Sequence, residues 1–402
     1  MTRGLGRTEQ TDTTVLLDAR VVTGRGVVDG WIELTRGRVR AVGAGTYPNA
    51  STTGVELVDL DGQWVAPGFV DIHVHGGGGA SFQTGDPSET ARGVTFHRAH
   101  GTTTLLASLV TAAVPELVAA TVALADLIDS GVPGLAGIHL EGPFLASARC
   151  GAHDPRLLRT PDADVVETLL RAGRGHIRMV TLAPELPGGI DAVRQVVAAG
   201  AVAAVGHTDA TYEQTRAAID AGATVATHLF NGMAPLHHRR PGPVAALMAD
   251  PRVVLELVDD RLHLHDAVVA GVFRSVGPAR VALVTDAIAA AGLGDGDYLV
   301  GGQHVVVTGG SPALAAGGSL AGSTLTMAQA VRHAVGQGVS IADALTAAAT
   351  TPAQAVGLGA GNQQGRPGVG VLAPGSRADL VVLDEGLALR RVMVAGRWED
   401  LA

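Results

Sequence analysis

The sequence predicts an α/β fold: a (β/α)8 barrel with a small β-sandwich domain built from both chain ends. Three observations carry this. Eight short apolar runs recur through the middle of the chain, and Ala-rich segments with helical spacing separate most of them. Strand-like segments with a different rhythm precede and follow the eight.

From the N-terminus, Met1 to Asp12 is polar and carries no apolar core of a secretory signal. VLLDARVV, GWIELTRGRVRAVG and GVELVDLDG then read as short strands separated by turn residues, as in a small antiparallel sheet. The eight runs follow: GFVDIHVH (68–75), TTTLLASLV (102–110), GLAGIHLEG (134–142), HIRMVTLAPE (176–185), AVAAVGHTD (201–209), ATVATHLFN (223–231), RVVLELVDD (252–260) and RVALVTDAI (280–288). Unbroken apolar runs read as strands buried on both faces, and their alternation with helices implies a parallel sheet. Eight such units match a barrel of about 250 residues, with a doubly wound open sheet as the alternative. Intervening helices are predicted over Pro115–Asp129, Asp162–Ala172 and Thr211–Ala221. A Gly-rich insertion, Gly292 to Gly318, holds a possible hairpin, YLVGGQHVVVTGG. Two helices are predicted after it, over Ser323–Gly336 and Ile341–Ala349. GVGVLAPGSRADLVVLD and ALRRVMVAGR return to the strand rhythm. The domains are therefore read as 1–65 with 360–402 for the β unit, and 66–359 for the barrel.

Composition narrows the function. The chain has 402 residues, and 47% of them are hydrophobic, which supplies a sizeable core and rules out disorder. The 29 basic residues against 38 acidic ones give a net charge of −9, the wrong sign for a general nucleic-acid binder. All 29 basic residues are Arg, so Schiff-base lysines, the P-loop lysine and a carbamylated-lysine metal bridge are absent. Cys150 is the one Cys, which excludes an internal disulfide and a Cys-rich zinc module. No apolar run reaches the roughly 18–20 residues that cross a bilayer, so no membrane association and a cytoplasmic setting are expected.

The polar residues gather at the ends of the runs. Run one ends in Asp71, His73 and His75; run three in His139 and Glu141; run five in His207 and Asp209; run six in His228 and Asn231; run seven in Asp259 and Asp260; run eight in Thr285 and Asp286. Barrel enzymes build their sites at the C-terminal ends of the strands. His73 and His75, two apart, point to the same side of a strand. The joint order HxH, Glu, His, His, Asp describes a divalent metal site with nitrogen and oxygen ligands.

These strings resemble the amidohydrolase superfamily, and within it the family of N-acetylglucosamine-6-phosphate deacetylases. The matching segments are APGFVDIHVHG (66–76), GIHLEGPF (137–144), CGAHD (150–154), VGHTDA (205–210), THLFNGM (227–233), RRPG (239–242), RLH (261–263), LVTDA (283–287) and LAGSTLTM (320–327). The resemblance runs from about Val15 to Arg397 and implies a TIM-like metal-dependent hydrolase barrel. By resemblance, Glu141, His207 and His228 hold the catalytic metal, His73 and His75 a second one, and Asp286 is the general acid–base. One or two ions per subunit are expected, zinc first, with iron, manganese or cobalt also suited. Such an ion lowers the pKa of bound water from 15.7 to about 7. The resemblance implies that this hydroxide would attack the acetamide carbonyl and that the products would be acetate and glucosamine 6-phosphate. The missing Lys argues against the dihydroorotase and hydantoinase branch.

The resemblance also implies a substrate set. Asn231 and Gly232 contact the sugar, Ala152 and His153 lie against the sugar or acetyl group, and Leu320, Ala321 and Gly322 complete the pocket. Arg239 and His263 meet the phosphate; Arg suits it because the planar guanidinium donates two parallel hydrogen bonds. Arg240 stands beside Arg239, so either could serve. In some relatives this arginine crosses a dimer interface, so a homodimer is expected. Gly76 to Gly79 reads as a flexible active-site loop rather than a phosphate cradle. Cys150 reads as a bystander near the pocket. Another amidohydrolase, such as a D-aminoacylase, a dipeptidase or a nucleobase deaminase, is the first rival reading. A metal-free scaffold protein is the second. Arg239 with His263 separates the first rival, and the complete ligand set argues against the second.

Overall fold

The computed structural model describes residues 13–49, 54–359 and 367–400. Residues 1–12, 50–53, 360–366 and 401–402, all parts of the predicted β unit, lie outside the described residues.

All eight apolar runs form the strands of one parallel sheet. They are β1 (Phe69–Val74), β2 (Thr102–Val110), β3 (Leu135–Glu141), β4 (Ile177–Leu182), β5 (Val202–Val205), β6 (Val225–Ala226), β7 (Val254–Val258) and β8 (Val281–Val284). They pair in sequence order, and every pairing is parallel. The circle closes between β8 and β1, where the Asp286 N–H donates to the His73 carbonyl at 2.8 Å. Thr285 adds its hydroxyl to the Asp71 carboxylate at 2.6 Å. Every residue of β1 and β2 is buried, as strands covered on both faces require. One apolar cluster runs through these strands and the inner faces of the surrounding helices.

The helices follow local signals. Asp162 caps the helix Ala163–Ala172, and Thr211 with Gln214 forms a capping box on Tyr212–Asp220. The helix predicted from Ser323 begins later, at Met327. Ser323 is held in extended backbone, its N–H on the Asp286 carbonyl and its hydroxyl on that of Thr285, and a Thr326/Gln329 capping box opens the helix. The insertion after β8 is a three-stranded meander, Gly296–Val300, Gln303–Thr308 and Ser311–Leu314.

The chain ends share one seven-stranded sheet. It is mixed rather than antiparallel: Thr13–Thr23 runs parallel to Val55–Pro67, while the other neighbours are antiparallel. The sheet curls over its own apolar face. The Val39 N–H bonds to the Ser376 carbonyl, bringing the Arg38–Ala44 strand back to the segment before Leu380–Leu383. Leu16, Ile32, Val65, Leu380 and Met393 fill the space enclosed, so the two sandwich layers are halves of one sheet. No helix among the described residues is long and apolar enough to cross a membrane.

Candidate active site

The C-terminal ends of the strands converge on a cavity of about 310 Å³, at the small end of the range for small-molecule sites. His73 and His75 project from β1 and Glu141 from the end of β3. His207, His228 and Asp286 each stand two residues beyond β5, β6 and β8. All three have left-handed backbone, with φ of 46°, 28° and 50°. Non-glycine residues held there cost on the order of 1–3 kcal/mol each, and such strain gathers at functional sites. At these positions the chain turns sharply off the strand and aims the side chain at the barrel axis. Gly232 permits the close fit: its φ is +59°, and a Cβ there would lie 2.9 Å from His207 Nδ1.

Glu141 organises the centre. Its Oε1 lies 3.0 Å from His207 Nε2 and 3.1 Å from His228 Nε2. Its Oε2 lies 3.2 Å from His75 Nε2 and 3.5 Å from His73 Nε2. Asp286 Oδ1 stands 3.1 Å from His75 Nε2. Glu141 with His207 and His228, and Asp286 with His73 and His75, form two groups whose ligand atoms lie within 4.8 Å of one another.

The surroundings settle which ring nitrogen faces inward. His207 Nδ1 lies 2.7 Å from the Arg149 carbonyl, His75 Nδ1 lies 3.2 Å from the Ser108 carbonyl, and His73 Nδ1 lies 3.0 Å from Glu256 Oε2. Each acceptor requires the proton on Nδ1, which leaves a lone pair on Nε2. Yet the Nε2 atoms of His73 and His75 are 3.2 Å apart, and those of His207 and His228 are 3.0 Å apart. The His73 and His75 lone pairs aimed at one another, and the His207 lone pair aimed at His228 Nε2, beside two buried carboxylates call for positive charge between them, so the donor set fits divalent ions. Without such charge, protons take its place. Burial opposes charge on His73 and His75, but Glu141 and Asp286 outweigh it, raising His73 well above its usual value and His75 to about 9. Burial likewise opposes charge on Asp286, and His73 and His75 overcome it, holding the carboxyl below its usual range.

His153 is set differently. The Thr111 backbone N–H donates to its Nδ1 at 3.2 Å, so the neutral ring carries its proton on Nε2, 3.5 Å from Glu141 Oε2. Burial pushes its pKa down to about 4, which keeps it a neutral N–H donor facing the cavity. Burial also opposes charge on His263, but its 2.7 Å contact with Asp260 raises it.

Ala152, His153, Asn231, Gly232, His263, Leu320 and Gly322 line the same cavity. Ala321 does not: it is buried behind the wall with Ala290, Val305 and Val307. Arg239 and Arg240 do not enter their own chain's cavity; they are exposed and border a separate cavity with Arg149 and Asp209. No arginine is among the described residues lining the site. The Gly76–Gly79 loop is a tied hairpin outside the cavity, held by Ala287, Ala289 and Ala291 carbonyls and by His97 Nε2 on the Gly76 carbonyl. Cys150 is half-buried in the loop beside Gly151. Val300, from the insertion, and Ile288 also face the cavity and were missed in the sequence. Beneath the ligands lies a buried polar layer, of which Asp71 and His139 were noted in the sequence at their run ends but Glu256 and Thr181 were not. His139 there bridges Ser108 and Thr181, and Asp71 and Glu256 each accept two or more hydrogen bonds. Burial pushes the Asp71 carboxyl up to about 7 against those bonds.

A closed parallel barrel with His and carboxylate groups clustered at its C-terminal mouth defines a class of hydrolases, and the chain belongs to the amidohydrolase family, whose model matches residues 64–398. Within that family its relatives are amino-sugar phosphate deacetylases. An N-acetylgalactosamine-6-phosphate deacetylase from Escherichia coli O157:H7 is 36% identical, over 92% of this chain and 96% of its own length. An N-acetylglucosamine-6-phosphate deacetylase from Lysinibacillus sphaericus is 35% identical over 86% and 87%. A solved structure of a mutant N-acetyl-D-glucosamine-6-phosphate deacetylase from Mycobacterium smegmatis, in complex with N-acetyl-D-glucosamine-6-phosphate, is 46% identical. It superposes with a TM-score of 0.90 over 96% of this chain and 99% of that one.

Proposed function

We propose that this chain hydrolyses the acetamide of N-acetyl-D-glucosamine 6-phosphate to D-glucosamine 6-phosphate and acetate, as a cytoplasmic step in amino-sugar breakdown or cell-wall recycling. The observation that carries the chemistry is Glu141, one carboxylate whose two oxygens face two separate donor groups beside Asp286 and a neutral His153 N–H. Glu141, His207 and His228 hold one divalent ion, and His73, His75 and Asp286 a second, with zinc the first choice for this donor set. A bound ion supplies Lewis acidity and a water of lowered pKa. Asp286, held ionised by its neighbours, takes the proton from the attacking water. His153 donates its Nε2 proton as a hydrogen bond to the carbonyl oxygen as negative charge grows there. Asp286 then delivers the proton to the amide nitrogen as the C–N bond breaks, which restores its carboxylate; the proton left on the new carboxyl group passes to the amine, so acetate and the protonated amine are released.

The test is acetate release by metal-loaded protein from N-acetylglucosamine 6-phosphate, N-acetylgalactosamine 6-phosphate and both unphosphorylated sugars. The expected result is highest kcat/KM on N-acetylglucosamine 6-phosphate, roughly a hundredfold over the unphosphorylated sugar. Each lost charge-assisted hydrogen bond costs about 1.5–3 kcal/mol. Equal rates with and without phosphate would remove the phosphate assignment. No acetate from any of the four would overturn the deacetylase reading.

The phosphate also bears on assembly. A phosphate of charge near −2 needs strong cations, and the cavity's own lining offers His263 but no arginine. Arg239 lies exposed on a loop that also exposes Leu236 at 58%. In our reading the chain is a homodimer in which the partner subunit's Arg239 reaches the phosphate. Arg239→Ala and Asp286→Asn proteins, each inactive alone, should then regain activity when subunits are exchanged. In a mixed dimer one of the two sites has both residues, so random exchange restores about a quarter of wild-type activity. No recovery after verified exchange would place the arginine's role within its own chain.

A further inference from the structure

The residue left over by the chemistry above is Glu256. It sits mid-strand in β7, between Leu255 and Leu257, and is fully buried. Strand alternation turns it to the face opposite these leucines, toward the barrel interior. A carboxylate there is costly unless partnered. Its Oε2 accepts two hydrogen bonds, from His73 Nδ1 at 3.0 Å and from the His228 backbone N–H at 3.1 Å. Its Oε1 is buried with no protein partner. No arginine pairs with it among the described residues. Its one cationic counterpart is whatever positive charge resides on or beyond the His73 ring.

We infer that Glu256 is a positioning residue that makes His73 a metal ligand and thereby sets whether the His73/His75 group holds an ion. The geometry acts in three ways. The Nδ1–H bond fixes the tautomer, so the lone pair stands on Nε2, facing His75 Nε2 at 3.2 Å. It fixes the ring plane, because Glu256 reaches the ring from β7, a strand separated from β1 by β8 alone. It raises the basicity of Nε2, since a carboxylate acceptor stabilises positive charge on the far side of the ring. The bond to the His228 N–H ties the same carboxylate to the backbone of a ligand of the first group, so the two groups share one support. His139, whose ring meets that of His73 edge-on at 4.6 Å, holds the ring from the other side and carries no charge to replace that of Glu256.

This inference rests on the two-ion reading, and the experiment separates them. Metal-free wild type, Glu256→Gln and His73→Ala are titrated with Zn²⁺, and both stoichiometry and the dissociation constant of each ion are measured. Elemental analysis of dialysed protein gives an independent count. The Gln amide oxygen can accept the same two N–H bonds, so this substitution removes charge and leaves the fold, which circular dichroism checks. The expected result is two ions in wild type. In Glu256→Gln the first ion is retained and the second is bound 10–100-fold more weakly, the usual effect of mutating such a partner, here through its charge alone. His73→Ala should bind one ion. Two ions at wild-type affinity in Glu256→Gln would overturn the inference and leave the two-ion reading intact. A single ion in wild type would overturn both. Loss of both ions in Glu256→Gln would overturn the inference by assigning Glu256 to the backbone of His228.

Discussion

Asp286→Asn lowers kcat for acetate release by three to four decades while the protein keeps its fold. Positioned proton transfer contributes typically 10²–10⁴-fold, and Asp286 is assigned two transfers, one from water and one to the leaving nitrogen. The loss corresponds to about 4–5.5 kcal/mol of barrier. Asn is the same size and retains one carbonyl oxygen, so the backbone bonds that lock the position are preserved: the Asp286 N–H to His73 and its carbonyl to the Ser323 N–H. The left-handed φ of 50° also suits Asn. Substrate affinity should therefore change little, and the loss should fall on kcat. Metal content is counted in the same samples, because Asp286 Oδ1 also faces His75 Nε2 at 3.1 Å. A variant within tenfold of wild type would move the proton chemistry to another group, and His153 would be the first to examine.

Much of the frame was readable from the residues because strands buried on both faces admit few alternatives to Val, Ile, Leu and Ala. Eight runs of that kind became eight strands, in order. The candidate ligands were readable for a related reason: polar residues at the ends of such runs lie where a barrel opens. The same rule hid Glu256. It lies inside RVVLELVDD, and attention to the run's end selected Asp259 and Asp260 instead. A signal was present, since a charge within a doubly buried strand must face the interior and meet a donor. Thr181 and Thr227, hydrogen-bonded to each other at 2.7 Å under the site, escaped notice because threonine is ordinary in strands.

Other features depend on where loops go, and no local pattern encodes that. The RRPG motif identified Arg239, but its placement on an exposed loop outside its own cavity is a tertiary fact. Alternation explains Ala321: Leu320 and Gly322 face the cavity, and the residue between them turns into the wall. The third strand of the meander, Ser311–Leu314, carries Pro312, which reads as a breaker yet is tolerated on an edge strand. Four consecutive glycines suggested mobility, but the N–H groups of Gly76, Gly78 and Gly79 bond to carbonyls of the chain after β8, contacts far apart in sequence.

Glu141→Gln is expected to be as damaging as Asp286→Asn, for a different reason, and the two are told apart by metal. Each oxygen of Glu141 faces a different donor group, and one amide cannot serve both: Gln presents one oxygen and one NH₂, which has no lone pair to give. A metal held by His207 and His228 would lose its only carboxylate, and the group of His73, His75 and Asp286 would lose the Glu141 oxygen that faces it. The amide hydrogens also point at an Nε2 lone pair wherever the NH₂ is placed, so the protein itself fills the ligand's place. Thermal unfolding reads this without turnover. An ion that binds only the folded chain stabilises it by about 2.7 kcal/mol at a hundredfold excess over its Kd. Zn²⁺ should therefore raise the melting temperature of wild type and of Asp286→Asn, through the group the latter retains, and that of Glu141→Gln by less, through Asp286 with His73 and His75 alone. Acetate release should fall at least as far as in Asp286→Asn. A melting temperature that still rises with Zn²⁺ as in wild type would mean that the histidines hold the ion without Glu141. The carboxylate would then be a base in its own right, and the division of labour between Glu141 and Asp286 would have to be reversed.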